Sequence, residues 1–288
     1  MKRFGLVVFV VLLQCPGLFA QTASLADVAR RERARLKELG DRRAMLLNFL
    51  IESSGARNSL EAVSDSFMGK EIQIDQVPPE TRDALVGIGR EVFKPENLMP
   101  VFERRFATEM DDRTLEDVYR WYQTPLGVKV LQIEKASSGK TVAAPASAPT
   151  MARMQLIAQL EAETNSTEQT VTILAKTTRE MLGKMLAAAA APINRETFLQ
   201  GFEQGFRENA EGRLRSSILS SYANLYEPLS DAELDQYVQF LNTYSGDRFV
   251  RATWLAIQDA MAQGGRETGK RVAEVFRTAT LKVRNGTN

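Results

Sequence analysis

Met110-Asp111-Asp112-Arg113-Thr114-Leu115-Glu116-Asp117-Val118-Tyr119-Arg120-Trp121-Tyr122 lies over Leu229-Ser230-Asp231-Ala232-Glu233-Leu234-Asp235-Gln236-Tyr237-Val238-Gln239-Phe240-Leu241 at a constant offset of 119, without a gap. Further on, Gly127 falls on Gly246 and Lys129 on Arg248. In the second stretch Ser230 with Glu233 three residues on forms a capping box, and Leu229 ahead of it can staple against Leu234. Asp111, Met110 and Leu115 take the same parts in the first. Thr124-Pro125 then offers a cap and a proline at the first helical position, so one helix stops and another starts at a sharp corner. Glycine at 127 and 246 lets the two helices approach closely. The pattern predicts a helical hairpin used twice.

Outward from these hairpins the periodicity is helical almost everywhere. Met45, Leu46, Phe49 and Leu50 share one face, as do Leu98, Val101, Phe102 and Phe106, and Val118, Tyr119 and Tyr122 lead on to Val130, Leu131 and Ile133. The short alternation Ile72-Gln73-Ile74 ahead of Pro78-Pro79 reads as a loop tucked against helices. A weaker match aligns Leu46, Leu47 and Leu50 with Leu156, Ile157 and Leu160 at an offset of 110, which implies about nine extra residues in the second copy, around Ala187 to Ala191. The expected fold is all-α: two repeated helical-hairpin units packed together, with a C-terminal helix. Prolines 145 and 149 in an Ala/Ser/Pro-rich stretch mark a linker over 137–150, between a first unit at 21–136 and a second at 151–263. Gly264-Gly265 is expected to set off a last helix and tail over 264–288.

The chain opens as an export signal. Met1, Lys2 and Arg3 form a positive start, Phe4 to Leu13 is unbroken apolar sequence, and Pro16 to Ala20 is a breaker followed by a small residue, so cleavage after Ala20 is expected. The apolar run is too short to span a bilayer, which takes about 20 residues. The expectation is a periplasmic or secreted protein. The alternative is a lipid anchor through Cys15, because Leu12-Leu13-Gln14-Cys15 resembles a lipoprotein cleavage box, although Gln14 stands where a small residue is usual.

Removal of residues 1–20 would take away the single cysteine, and the chain has no histidine at all. Disulfides, zinc sites built on Cys or His, Ser-His-Asp triads and Cys-His nucleophiles are then excluded. Carboxylate or lysine acid-base chemistry, an oxygen-ligated cation, or no catalysis remains. Without Lys2 and Arg3, 35 basic residues stand against 36 acidic ones, so bulk attraction to nucleic acid is not expected. The segment Arg30 to Arg43 holds seven basic and three acidic residues; it reads as a solvated, salt-bridged helix, with an anionic surface as the alternative partner.

The stretch Phe106 to Val130, with its acid-capped helix start, its Tyr119-Arg120-Trp121-Tyr122 group and its Thr124-Pro125-Leu126-Gly127 turn, resembles the repeat motif of the bacterial domain-of-unknown-function family numbered 2059. The likeness covers about 45–138 well and about 152–262 more loosely, since Tyr244-Ser245 replaces Pro125-Leu126. It implies an exported helical protein and carries over no activity, cofactor or site residue.

Tyr119, Trp121, Tyr122, Tyr226, Tyr237 and Phe240, together with Tyr222, are candidates to line a groove for a sugar, lipid or peptide. Core packing is the competing reading and the favoured one, since Trp121 and Phe240 are equivalent across the repeat. The acids Glu103, Glu109, Asp111 and Asp112 read as helix-start chemistry rather than as a catalytic pair or a calcium site. No catalytic, cofactor or metal residue is assigned. The expected function is a non-catalytic binding or interaction module of the bacterial envelope, whose partner is a protein, peptide or lipid held between the two halves. The alternative is a hydrolase of an envelope glycan, which requires two carboxylates facing one cleft.

Overall fold

The computed structural model describes residues 18–61, 79–137, 149–189 and 194–285, which form helices joined by short corners, with no strand among them. The chain divides into two units, Met1–Leu46 and Leu47–Asn288. Helix α1 (Leu18–Ser53) supplies the described part of the first unit and the opening of the second. Its residues 30–42 are exposed, and Glu32 meets Arg35 one turn on at 3.9 Å, the solvated arrangement expected of mixed charge. The export segment 1–20, with Cys15, lies outside the described residues except for Leu18 to Ala20, which begin α1. The loop at 72–74 and most of the linker, 138–148, also lie outside them. Among the described residues no helix is long and apolar enough to cross a membrane.

The second unit continues through α2 (Pro79–Val92), α3 (Pro95–Glu109), α4 (Asp112–Tyr122), α5 (Pro125–Ser137), α6 (Met151–Thr164), α7 (Ser166–Ala189), α8 (Arg195–Leu225), α9 (Asp231–Leu241) and α10 (Tyr244–Asn285). The α4–α5 and α9–α10 corners are built alike. Asp111 accepts the Thr114 N–H at 2.8 Å, while Ser230 and Glu233 complete a reciprocal box. Met110, Leu115, Leu229 and Leu234 are all buried beside these caps, as a staple requires. At the turn, Thr124 Oγ1 donates to Trp121 O and accepts from Gly127 N; Thr243 Oγ1 does the same with Phe240 O and Gly246 N. A Cβ at Gly127 would collide with the Trp121 carbonyl oxygen, and one at Gly246 with that of Phe240.

The corners also grip one another. Lys129 Nζ reaches the Glu233 carboxylate at 2.8 and 2.9 Å, and Arg248 Nε reaches Asp111 Oδ2 at 3.1 Å. Each base therefore holds the acid that starts the other hairpin. Trp121 stacks on Phe240 with centroids 4.0 Å apart and planes within 9°. Residues 119 apart in the chain thus occupy matching places on either side of one seam.

The separate C-terminal helix at 264–288 is corrected by the structure: α10 runs unbroken from Tyr244 to Asn285 through Gly264 and Gly265. These glycines are contact points. Helix α10 packs most extensively on α7 and then on α3. A Cβ at Gly265 would collide with Thr177 O, one at Gly269 with Met181 O, and one at Gly264 would stand 2.6 Å from the Phe93 ring. Small residues here bring two backbones close, and the surrounding helix supplies the hydrogen bonds that keep glycine helical. Phe93 is fully buried against Gly264, and Leu98, Phe102, Phe106 and Ile173, on the helices that α10 packs against, are fully buried as well.

Candidate functional site

Helix α5 turns Val130 into the core, and one turn later, on the same face, places Glu134. A carboxylate there must be desolvated or compensated. Tyr226 Oη donates to Glu134 Oε1 at 2.8 Å and Tyr237 Oη donates to the same oxygen at 3.0 Å. Burial raises the Glu134 carboxyl above its ordinary value, and the two tyrosine hydrogen bonds pull the other way. Burial, reinforced by the nearby Glu134 charge, pushes Tyr122, Tyr226 and Tyr237 far up, so their hydroxyls stay protonated donors.

Around this group lies a cavity of about 420 Å³. Two corners and helix α10 contribute to its polar wall. After α1, Gly55 takes a left-handed φ of 63°, a conformation that suits glycine, and the turn sets Ser53 and Ser54 at the cavity. Ser54 is occupied with the Ile51 carbonyl, but the Ser53 hydroxyl is buried and has no hydrogen-bond partner among the described residues. Between α6 and α7, Asn165 turns the chain at φ 49°, and Thr164 and Ser166 both reach Tyr222 Oη, at 3.1 and 2.5 Å. From α10, Trp254 Nε1 donates to Thr164 O at 2.9 Å, which fixes the indole at the cavity wall. Ile218, Leu225, Val250 and Ile257 complete the lining with aliphatic surface.

The cavity spans the seam. Glu134 and Thr253 stand 119 apart, at matching positions of α5 and α10, and both line it. One hairpin contributes an acid and the other a hydroxyl. Among the described lining residues Glu134 is the sole charged side chain.

Of the aromatics singled out from sequence, Tyr122, Tyr226 and Tyr237 converge on this cavity, with Tyr222 beside them. Trp121 and Phe240 instead stack on each other over a shallow depression bounded by Pro125, Lys129 and Glu233. Trp121 also lies within 5.4 Å of Tyr237, so the stack backs the cavity wall. Tyr119 packs edge-on to Phe49 at 5.0 Å. Asp111 is a cap whose carboxyl is held low, chiefly by the Thr114 backbone bond, and Glu109 lends its carbonyl to Arg248. Glu134, Ser53, Thr253 and Trp254 were not foreseen. The legible signal for Glu134 was an acid four residues after Val130 on an otherwise apolar face; Ser53 offers none.

Residues 96–159 match the family described as "Uncharacterized protein conserved in bacteria (DUF2059)", so this part of the chain is similar to that family. The matched span runs from α3 into α6; it contains the first corner and Glu134, and ends before the second corner. No curated protein and no solved structure matches the chain.

Proposed function

We propose that the chain is an exported, non-catalytic binding module of the bacterial envelope, and that its small-molecule ligand occupies the cavity over Glu134. The observation that carries this reading is the cavity itself. It is of ligand size, its exposed lining is more apolar than polar, and one of its polar groups is the half-buried Glu134 carboxyl, which desolvation raises. The matching contacts at positions 119 apart support reading the two hairpins as duplicated copies, whose seam leaves this space. The export reading rests on residues 1–20, and a periplasmic or secreted location is proposed with it. Paired-carboxylate hydrolysis is less favoured, since that chemistry takes two acids about 5 to 10 Å apart and the described lining offers Glu134 alone.

The test places a photo-crosslinking residue at Ser221, which is exposed and at the cavity, and a control at Arg213, exposed on the same helix α8 away from it. In cells, irradiation followed by mass spectrometry of the mature chain is expected to give a discrete low-mass adduct from position 221 only. Equal or absent capture at both positions would remove the reading.

A further inference from the structure

We infer that residues 30–43 of α1 are a docking surface for an anionic lipid bilayer, which this part of the helix meets lying flat in the headgroup layer. The inference is independent of the cavity over Glu134 and of what that cavity holds. Charge is the first observation. Arg30, Arg31, Arg33, Arg35, Lys37, Arg42 and Arg43 stand against Glu32, Glu38 and Asp41, an excess of four positive charges. The rest of the chain beyond Ala20 carries 28 basic residues against 33 acidic ones, so positive charge is concentrated on this one stretch. A cluster of this size is attracted to the negative potential of anionic headgroups.

Exposed leucine is the second observation. Leu36 and Leu39 are 59% and 52% exposed, and at about 100° per residue they lie on one face of α1. Arg33 and Lys37 flank that face on one side, and Arg35 and Arg42 on the other, while Glu38 and Asp41 fall on the opposite side of the helix. Glu32, which meets Arg35 at 3.9 Å, and Arg43 close the strip at its two ends. Leucines edged by long basic side chains suit an interface, where the leucines enter the acyl boundary and the cations reach up to phosphate. A soluble polyanion would engage the bases and leave the leucines in water. A second copy seated on this face would set base against base along both flanks. Since no helix among the described residues can cross a membrane, the contact is with the bilayer surface.

The test uses the chain beginning at Gln21, so that the apolar run Phe4 to Leu13 takes no part. It is sedimented with vesicles of equal parts phosphatidylglycerol and phosphatidylcholine, and with phosphatidylcholine alone. The expected result is co-sedimentation with the anionic vesicles only, weakening as salt is raised. Leu36→Ala with Leu39→Ala, and separately Arg33→Gln with Lys37→Gln, should each lower the partition about tenfold. Arg213→Gln with Arg215→Gln, exposed bases on α8, should leave it unchanged. A chain from Gln21 contains no cysteine, so Leu39→Cys and Asp41→Cys each carry one environment-sensitive dye. Emission should shift to the blue on anionic vesicles at position 39 and stay put at position 41, a readout that needs no weakened variant. No binding to anionic vesicles, equal binding to neutral ones, or the same shift at both positions overturns the inference. Partition untouched by the leucine pair also overturns it, leaving a contact by charge alone. A lipid-free dimer abolished by that pair would give the face to a second copy and overturn it as well.

Discussion

Glu134 is placed where its charge opposes folding. Its carboxyl is raised above the ordinary value of 4.5, first by burial, so the folded chain binds a proton more tightly than the unfolded chain does. The sign follows by linkage: as pH falls from neutral through the raised value, the penalty is relieved and stability rises, levelling below about 4.5. Thermal denaturation of wild type and Glu134→Gln across this range should show a difference that narrows with acidification. A gap that stays constant would deny the buried charge. Glu233 behaves oppositely. Its carboxyl is lowered to about 2, first by Lys129 and then by the Ser230 cap, so its contribution is full above about 4.5 and fades as pH approaches 2. Lys129→Met should remove part of this acid sensitivity, measured as the change in melting temperature between pH 5 and pH 3. Caps such as Ser230 and Asp111 are legible in sequence because every partner lies within three residues. The place of Glu134 is not, because Tyr226 and Tyr237 come from helices 92 and 103 residues away.

Glycine carries two meanings at the scale of the element, and sequence alone does not separate them. At Gly127 and Gly246 the corner reading coincides with the contact, since the turn and the close approach occur together. At Gly264-Gly265 a break was expected, but the pair lies within a continuous helix, because a neighbouring helix, invisible in the local sequence, approaches there. The distinction is measurable. Gly265→Ala forces a Cβ onto the Thr177 carbonyl and should destabilise the chain by about 1–3 kcal/mol in urea denaturation. Gly201→Ala, exposed in α8 with nothing near its Cβ, should instead stabilise by about 0.5–1 kcal/mol, the helix-propensity gain alone. Equal effects at the two positions would contradict the α10–α7 contact.

For the whole molecule, helix content and the two corners could be read from periodicity and from the offset of 119, whereas the cavity could not. It forms where α1, α4, α5 and the later helices converge, and part of its polar wall comes from corners whose residues are ordinary serines and threonines. The aromatic residues illustrate the same limit: Tyr122, Tyr226 and Tyr237 line the cavity, while Trp121 and Phe240 pair on one another, although all five look alike in sequence. Export is a prediction at this scale. N-terminal sequencing of protein recovered from the periplasm or medium should begin at Gln21; a lipid-modified start at Cys15 would replace that route with anchoring.

The central claim, a ligand seated over Glu134, is tested most directly by amide and indole NMR of the mature chain during titration with the low-mass fraction of an envelope extract. The account predicts shifts confined to the Ser53–Gly55 turn, the Thr164–Ser166 corner and the Trp254 indole, and lost in Glu134→Gln. Shifts that fall elsewhere, or that persist unchanged in Glu134→Gln, would contradict it.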